Sequence, residues 1–189
     1  LITDMDQPLG RMAGNSLEII EVAELLNPQT STKPDSRLFT LCVALATNAL
    51  ILAESVSETT AASRVQTALQ SGAAFDAFKS IVAAQCGDTH FLDNPQLFPS
   101  APVVKQVTAQ RSGFIQRIPA RTVGDCVVRL GGGRAIKADP IDHRVGVETH
   151  LHVGAPVAAG DVLFTVHAVS DAAANAVDVL LANAVEISD

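Results

Sequence analysis

The spacing of apolar residues changes once along this chain, and that change sets the fold class. Up to about residue 84 they recur at three- and four-residue steps, the signature of helices with one buried face. From Val103 onward they fall in short β-branched runs and in strict alternation, as strands require. A helical stretch followed by a strand-rich stretch predicts an α+β protein, divided at about residue 100. The segment Asp88–Pro102, with three prolines and little periodicity, reads as the boundary loop.

In the first stretch, a helix is expected from Asn15 to about Leu26, ended by Asn27-Pro28. A second, capped by Asp35 or Ser36, carries Leu38, Leu41, Cys42, Leu45, Ala46, Ala49 and Ala53 on a wide stripe that belongs in a core. Ser57 starts a third that ends at Gly72, and a fourth carries Phe75, Phe78 and Ile81 up to Gly87. In the second stretch, Val103–Val107 and Gly113–Ile118 read as strands, and 121–130 as a helix stopped by Gly131-Gly132-Gly133. Val145, Val147, Thr149 and Leu151 alternate with Glu148, His150 and His152. Val162, Phe164 and Val166 alternate along a further strand, and an amphipathic helix follows from Ser170. Leu1-Ile2-Thr3 reads as the tail of a strand, and the start without an initiator Met as a cut chain.

Composition narrows the function classes. There is no tryptophan or tyrosine and only seven phenylalanines, so the core must be aliphatic. A net charge of −7 argues against non-specific binding to nucleic acid or an anionic membrane, and no apolar run is expected to span a bilayer. Cys42, Cys86 and Cys126 form no CxxC pair and no zinc pattern, which reads as buried free thiols in a reducing cytosol.

The stretch Thr3–Leu26 holds the densest local signals. A polar turn, Asp4-Met5-Asp6-Gln7-Pro8, leads through Gly10 and Gly14 to Asn15, with Glu18 spaced for a capping box. Glu18, Glu21 and Glu24 form a slanted row of carboxylates, which on physical grounds alone reads as a solvated acidic face.

The run TDMDQPLGRMAGNSLEIIEV nevertheless resembles a segment of the thymidine and pyrimidine-nucleoside phosphorylases. The resemblance continues through GAAFDAFKSIVAAQCGD, SGFIQRI, VVRLGGGR, DPIDHRVGV and VGAPVAAGDVLFTVHA. It implies the C-terminal portion of such an enzyme. Residues 1–100 would then complete the large α/β domain, and 101–189 would form an α/β-hammerhead, barrel-sandwich-like C-terminal domain. The implied activity is that of a pentosyltransferase of pyrimidine salvage. Phosphate attacks the anomeric carbon of thymidine or uridine, releasing the base and a (deoxy)ribose 1-phosphate. The family's Lys-Thr-Gly-Ser-Gly phosphate loop and its base-gripping residues are absent from this sequence. No catalytic or substrate-binding residue is therefore assigned here, and the chain alone is expected to be inactive.

What the resemblance carries over is a structural potassium site. By motif its ligands here are the backbone carbonyls of Leu9 and Met12 and the carboxylate of Glu21, an oxygen set suited to a hard cation. The remaining ligands lie outside the matched motifs, so the site is expected to be half-built and empty in this chain. The resemblance also implies a cytoplasmic homodimer whose domains rotate to close the cleft. The alternative is a non-catalytic binding or scaffold module that shares the hammerhead architecture.

Three weaker motifs have plainer readings. Gly131-Gly132-Gly133-Arg134 invites an anion, but a helix stop followed by a turn accounts for it. Glu148, His150 and His152 share one strand face, and a polar face accounts for them better than zinc. The VGAPVAAGDVLFTV hairpin is similar to those of biotinyl and lipoyl carriers, yet no lysine follows Lys137. His90, His143 and His167 read as isolated, and Asp139–Asp142 as a turn.

Overall fold

The computed structural model describes residues 1–29 and 37–188. Helices and antiparallel sheets are both present, as the change in periodicity requires. The chain resolves into two compact units, one of residues 1–18 with 98–189 and the other of residues 19–97. The first eighteen residues thus join the strand-rich stretch in space, across the division that the sequence places at residue 100.

The strand-rich unit holds two sheets. One has the order β1-β4-β6-β2, formed by Met12–Ala13, Gly146–Thr149, Val162–Ala168 and Val103–Thr108. The other has the order β5-β3-β7, formed by Pro156–Val157, Gly113–Arg117 and Glu186–Ser188. All pairs are antiparallel. Helices α6 (Ala120–Arg129) and α7 (Asp171–Ala184) complete the unit. Ser170 caps α7, its Oγ accepting the Ala173 N–H at 3.2 Å. The core is aliphatic as expected. Ile115, Val107, Val145, Val166 and Leu181 are all under 2% exposed, and Phe164 is the one aromatic among the described residues of this cluster.

In the helical unit, α1 (Asn15–Leu26, from Ile19 onward) is followed by α2 (Arg37–Glu54), α3 (Glu58–Ser71), α4 (Ala73–Ala84) and α5 (His90–Asp93). Ser57 Oγ caps α3 by accepting the Thr60 N–H, and Gly72, at φ +84°, makes the turn from α3 into α4. Ala23, Phe75 and Leu92 form a small core. Lys79 links α4 to α5, with its Nζ 2.6 Å from Asp93 and over the Phe75 ring.

Several expectations require correction. Residues 1–3 form no strand; the first strand is the two-residue β1, too short to carry a period. Asn15 does not cap α1. Gly14 takes that place, its N–H donating to Glu18 Oε1 at 3.0 Å. The apolar stripe of α2 does not lie in a core: only Thr47 is buried on that helix, while Cys42, Leu45 and Leu52 are exposed. Periodicity reports that a face needs cover, and the described residues of this unit do not supply it. The helix is also long and apolar enough, by length and composition alone, to cross a membrane, which the sequence reading excluded. Among the cysteines only Cys126 is buried; Cys42 and Cys86 are exposed. The expected cap at Asp35 or Ser36 lies outside the described residues.

Candidate functional site

The segment 4–18 is stitched into the strand-rich unit by its polar and backbone groups. Asp4 Oδ1 accepts the Asp6 N–H at 2.8 Å, an Asx turn that the sequence Asp-Met-Asp favours. Gln7 Oε1 accepts the Val153 N–H at 3.1 Å, so this side chain anchors the loop to a turn distant in sequence. Arg11 contributes twice: its carbonyl accepts the Thr149 N–H at 2.7 Å, and its guanidinium stands 3.4 Å from Glu148. Beyond β1, the Ser16 N–H donates to the His143 carbonyl at 3.1 Å. Asn15 Nδ2 donates to His143 Nδ1 at 3.0 Å and to the Gly132 carbonyl at 3.4 Å. His143 is therefore partnered, where the sequence suggested isolation. A long-range partner leaves no local signature, so these anchors were not readable in advance.

The residues expected to ligate a cation are placed as follows. Leu9 lies in a bend of the strand-rich unit, 41% exposed. Met12 faces Glu148 in the register of β1 against β4. The neighbouring pair Arg11–Thr149 is hydrogen-bonded, so alternation turns the Met12 carbonyl away from β4, toward the outer edge of the sheet. Glu21 belongs to the helical unit and is only 6% exposed, whereas Glu18 is exposed and Glu24 half-buried. The row of glutamates is therefore not a uniformly solvated face. Two carbonyls and a carboxylate are all hard oxygen donors.

The triple-glycine loop ends a helix. The Gly132 N–H donates to the Val127 carbonyl and the Gly131 N–H to Val128, with Gly131 at φ +93°, the pattern of a Schellman stop. The next amides hold an anion that the chain itself provides: Asp139 Oδ2 accepts the N–H groups of Ala135 (3.1 Å) and Ile136 (2.9 Å). Arg134 Nε donates to the Asp139 carbonyl. Nearby, Arg144 clamps Asp142 and holds its carboxyl down at about 2.

On the polar face of β4 and β6, His150 Nε2 lies 2.7 Å from Thr165 Oγ1 and His150 Nδ1 lies 4.0 Å from Glu148. His152 lies beyond the end of β4 and is exposed. Among the described residues no three His, Cys, Asp or Glu side chains are placed to hold a metal ion. His167, on β6, has a buried Nε2 with no hydrogen-bond partner. Burial holds its pKa below the usual histidine value, opposed by the charge of Glu148. The folded state therefore resists a proton that the unfolded chain accepts. Stability should fall as pH drops below about 6.5. A His167→Gln variant, which cannot titrate, is expected to show a shallower loss between pH 7 and 5 in urea titrations at each pH.

Comparison with known proteins places this geometry. Residues 114–188 match the pyrimidine nucleoside phosphorylase C-terminal domain. A pyrimidine-nucleoside phosphorylase of Staphylococcus haemolyticus is 36% identical over 170 residues, covering 88% of this chain and 38% of the relative. Another, of Geobacillus stearothermophilus, is 34% identical with the same coverages. A thymidine phosphorylase of Colwellia psychrerythraea is 34% identical, covering 100% of this chain and 43% of its own length. The chain spans about two-fifths of the length of the curated relatives it matches. It belongs to the thymidine and pyrimidine-nucleoside phosphorylase family and corresponds to the C-terminal portion of those enzymes.

Proposed function

We propose that this chain supplies the C-terminal portion of an enzyme that reversibly phosphorolyses thymidine or uridine in cytoplasmic pyrimidine salvage. In that reaction a phosphate oxygen forms a bond to the anomeric carbon as the glycosidic C–N bond breaks. The electron pair leaves with the base, which then takes up a proton. Rate enhancement rests on holding phosphate beside the sugar and stabilising charge on the departing base. The observation that carries this reading is the match along nearly the whole chain to enzymes of that name.

The chain's own contribution in this reading is architectural. Its two antiparallel sheets with α6 and α7 would form the hammerhead-type domain that closes over the cleft of a homodimeric enzyme, a gating motion. The carbonyls of Leu9 and Met12 with the Glu21 carboxylate would give part of a potassium site. Phosphate binding and base recognition would lie in the part of the relatives that this chain does not match.

The chain alone is accordingly expected to release no thymine or uracil above the blank when given nucleoside and phosphate, in an assay that follows free base by chromatography. Phosphate-dependent release by the chain alone would overturn this assignment of the chemistry.

A further inference from the structure

The strand-rich unit carries a cleft of about 570 Å³ that the preceding account leaves without a role. It is lined by the turn after β2, by β7 and by the end of α7, with the buried side chains of Leu163 and Ile187 giving it apolar surface. Arg111 is exposed there, and among the described residues its side chain has no hydrogen-bond or ion-pair partner. The carboxylate of Glu186, which also lines the cleft, is taken by Arg117 at 3.2 Å. The turn that presents Arg111 is held in place. The Ala109 N–H donates to the Asp161 carbonyl and the Ala109 carbonyl accepts the Gly160 N–H, both at 2.8 Å. Ser112 Oγ accepts the Ala159 N–H at 3.0 Å.

The end of α7 supplies the opposite polarity. That helix reaches the cleft through Asn183, with no basic residue in its last turn. The final carbonyls of a helix lack helical donors and carry the negative end of its dipole. An uncompensated helix end and an unpaired guanidinium thus line one cleft.

We propose that this cleft binds a nucleoside monophosphate whose base bears an exocyclic amino group. The Arg111 fork matches a phosphate group. The carbonyls at the end of α7 are acceptors only, so they call for a donor such as the amine. The amides of Gln110 and Asn183 suit the sugar hydroxyls and the remaining base edge, and the apolar surface suits the face of a ring. The volume is that of a site for a drug-sized molecule, and inorganic phosphate would leave most of it empty. Uracil and thymine place an oxygen where cytosine has its amine, and that oxygen would face the helix carbonyls. The inference does not rest on the phosphorylase reading, which places base and phosphate recognition outside this chain.

Isothermal titration of the chain with cytidine 5′-monophosphate tests the proposal. Saturable binding is expected, and its absence up to about 1 mM would overturn the site. Uridine 5′-monophosphate, cytidine and inorganic phosphate are each expected to bind at least about tenfold more weakly. Equal binding of the uridine nucleotide or of phosphate would make the cleft an anion sink and overturn the ligand class. Arg111→Gln should lower the affinity at least about tenfold, while Arg121→Gln, at an exposed arginine outside the cleft, should leave it unchanged. Unchanged binding by Arg111→Gln would overturn the assignment. Amide NMR spectra of the parent chain locate the ligand without a variant. The nucleotide is expected to shift the signals of Gln110, Arg111 and Asn183, and shifts confined to other residues would contradict the proposal.

Discussion

Replacing Gly14 by valine is expected to destabilise the strand-rich unit by at least about 3 kcal/mol. Gly14 sits at φ +141°, a backbone conformation that residues with a side chain rarely adopt. A Cβ there would lie 2.5 Å from the Val145 carbonyl oxygen and 2.9 Å from the Gly146 Cα, both backbone atoms that no rotamer change can move. The crowding is mutual, since a Cβ on Gly146 would lie 2.4 Å from the Ala13 carbonyl oxygen. These two glycines let the entry to α1 approach the start of β4, and β1 pairs there. Gly124, inside α6 with nothing near its added Cβ, is the control. Gly124→Ala should be neutral or stabilising by up to about 1 kcal/mol. Urea titrations followed by circular dichroism are suited to both, because the chain has no tryptophan or tyrosine to report by fluorescence.

Phe164→Ala should cost about 3 to 5 kcal/mol by the same measurement. Phe164 is 1% exposed on β6, an inner strand that pairs with β2 on one side and β4 on the other. Val107 and Thr149 face it in register, both buried. An aliphatic core can close only part of the cavity that loss of its one described aromatic ring would leave. Phe114 on β3, 49% exposed, serves as the control, and its alanine variant should lie within about 0.5 kcal/mol of the parent.

The elements legible in the sequence were those with their own period or cap. The spans of α1, α3 and α6 follow from apolar spacing, from Ser57 and from the glycines that end them. What the sequence hid was set by contacts distant in the chain. β1 has two residues and exists because β4 pairs with it; β5, of two residues, and β7, of three, borrow their definition from β3. Along β6 the alternation of Val162, Phe164 and Val166 predicted one buried face. Leu163 and Thr165 are buried as well, because that strand is covered on both sides. On α7 the buried residues are Ala174, Val177 and Leu181, while the adjacent Leu180 is 38% exposed. For α2 the pattern was read correctly as apolar and wrongly as core, since a pattern cannot say which polypeptide provides the cover.

The candidate site divides the same way. The TDMDQPLG turn, and the asparagine and glutamates of the helix after it, were conspicuous as residue types in a tight spacing. The anchoring of Gln7 to Val153 and of Asn15 to His143 needed coordinates. The Asp139 carboxylate filling the amides after the glycine loop shows why a glycine run with an arginine makes a weak anion motif.

The most direct measurement is thymidine phosphorolysis by the fusion that places the N-terminal part of the Colwellia psychrerythraea thymidine phosphorylase ahead of this chain. The predicted result is phosphate-dependent thymine release by the fusion and none by either portion alone. A folded fusion that releases no thymine, or a chain that releases it unaided, would contradict the assignment of this chain as the non-catalytic C-terminal portion of a pyrimidine-nucleoside phosphorylase.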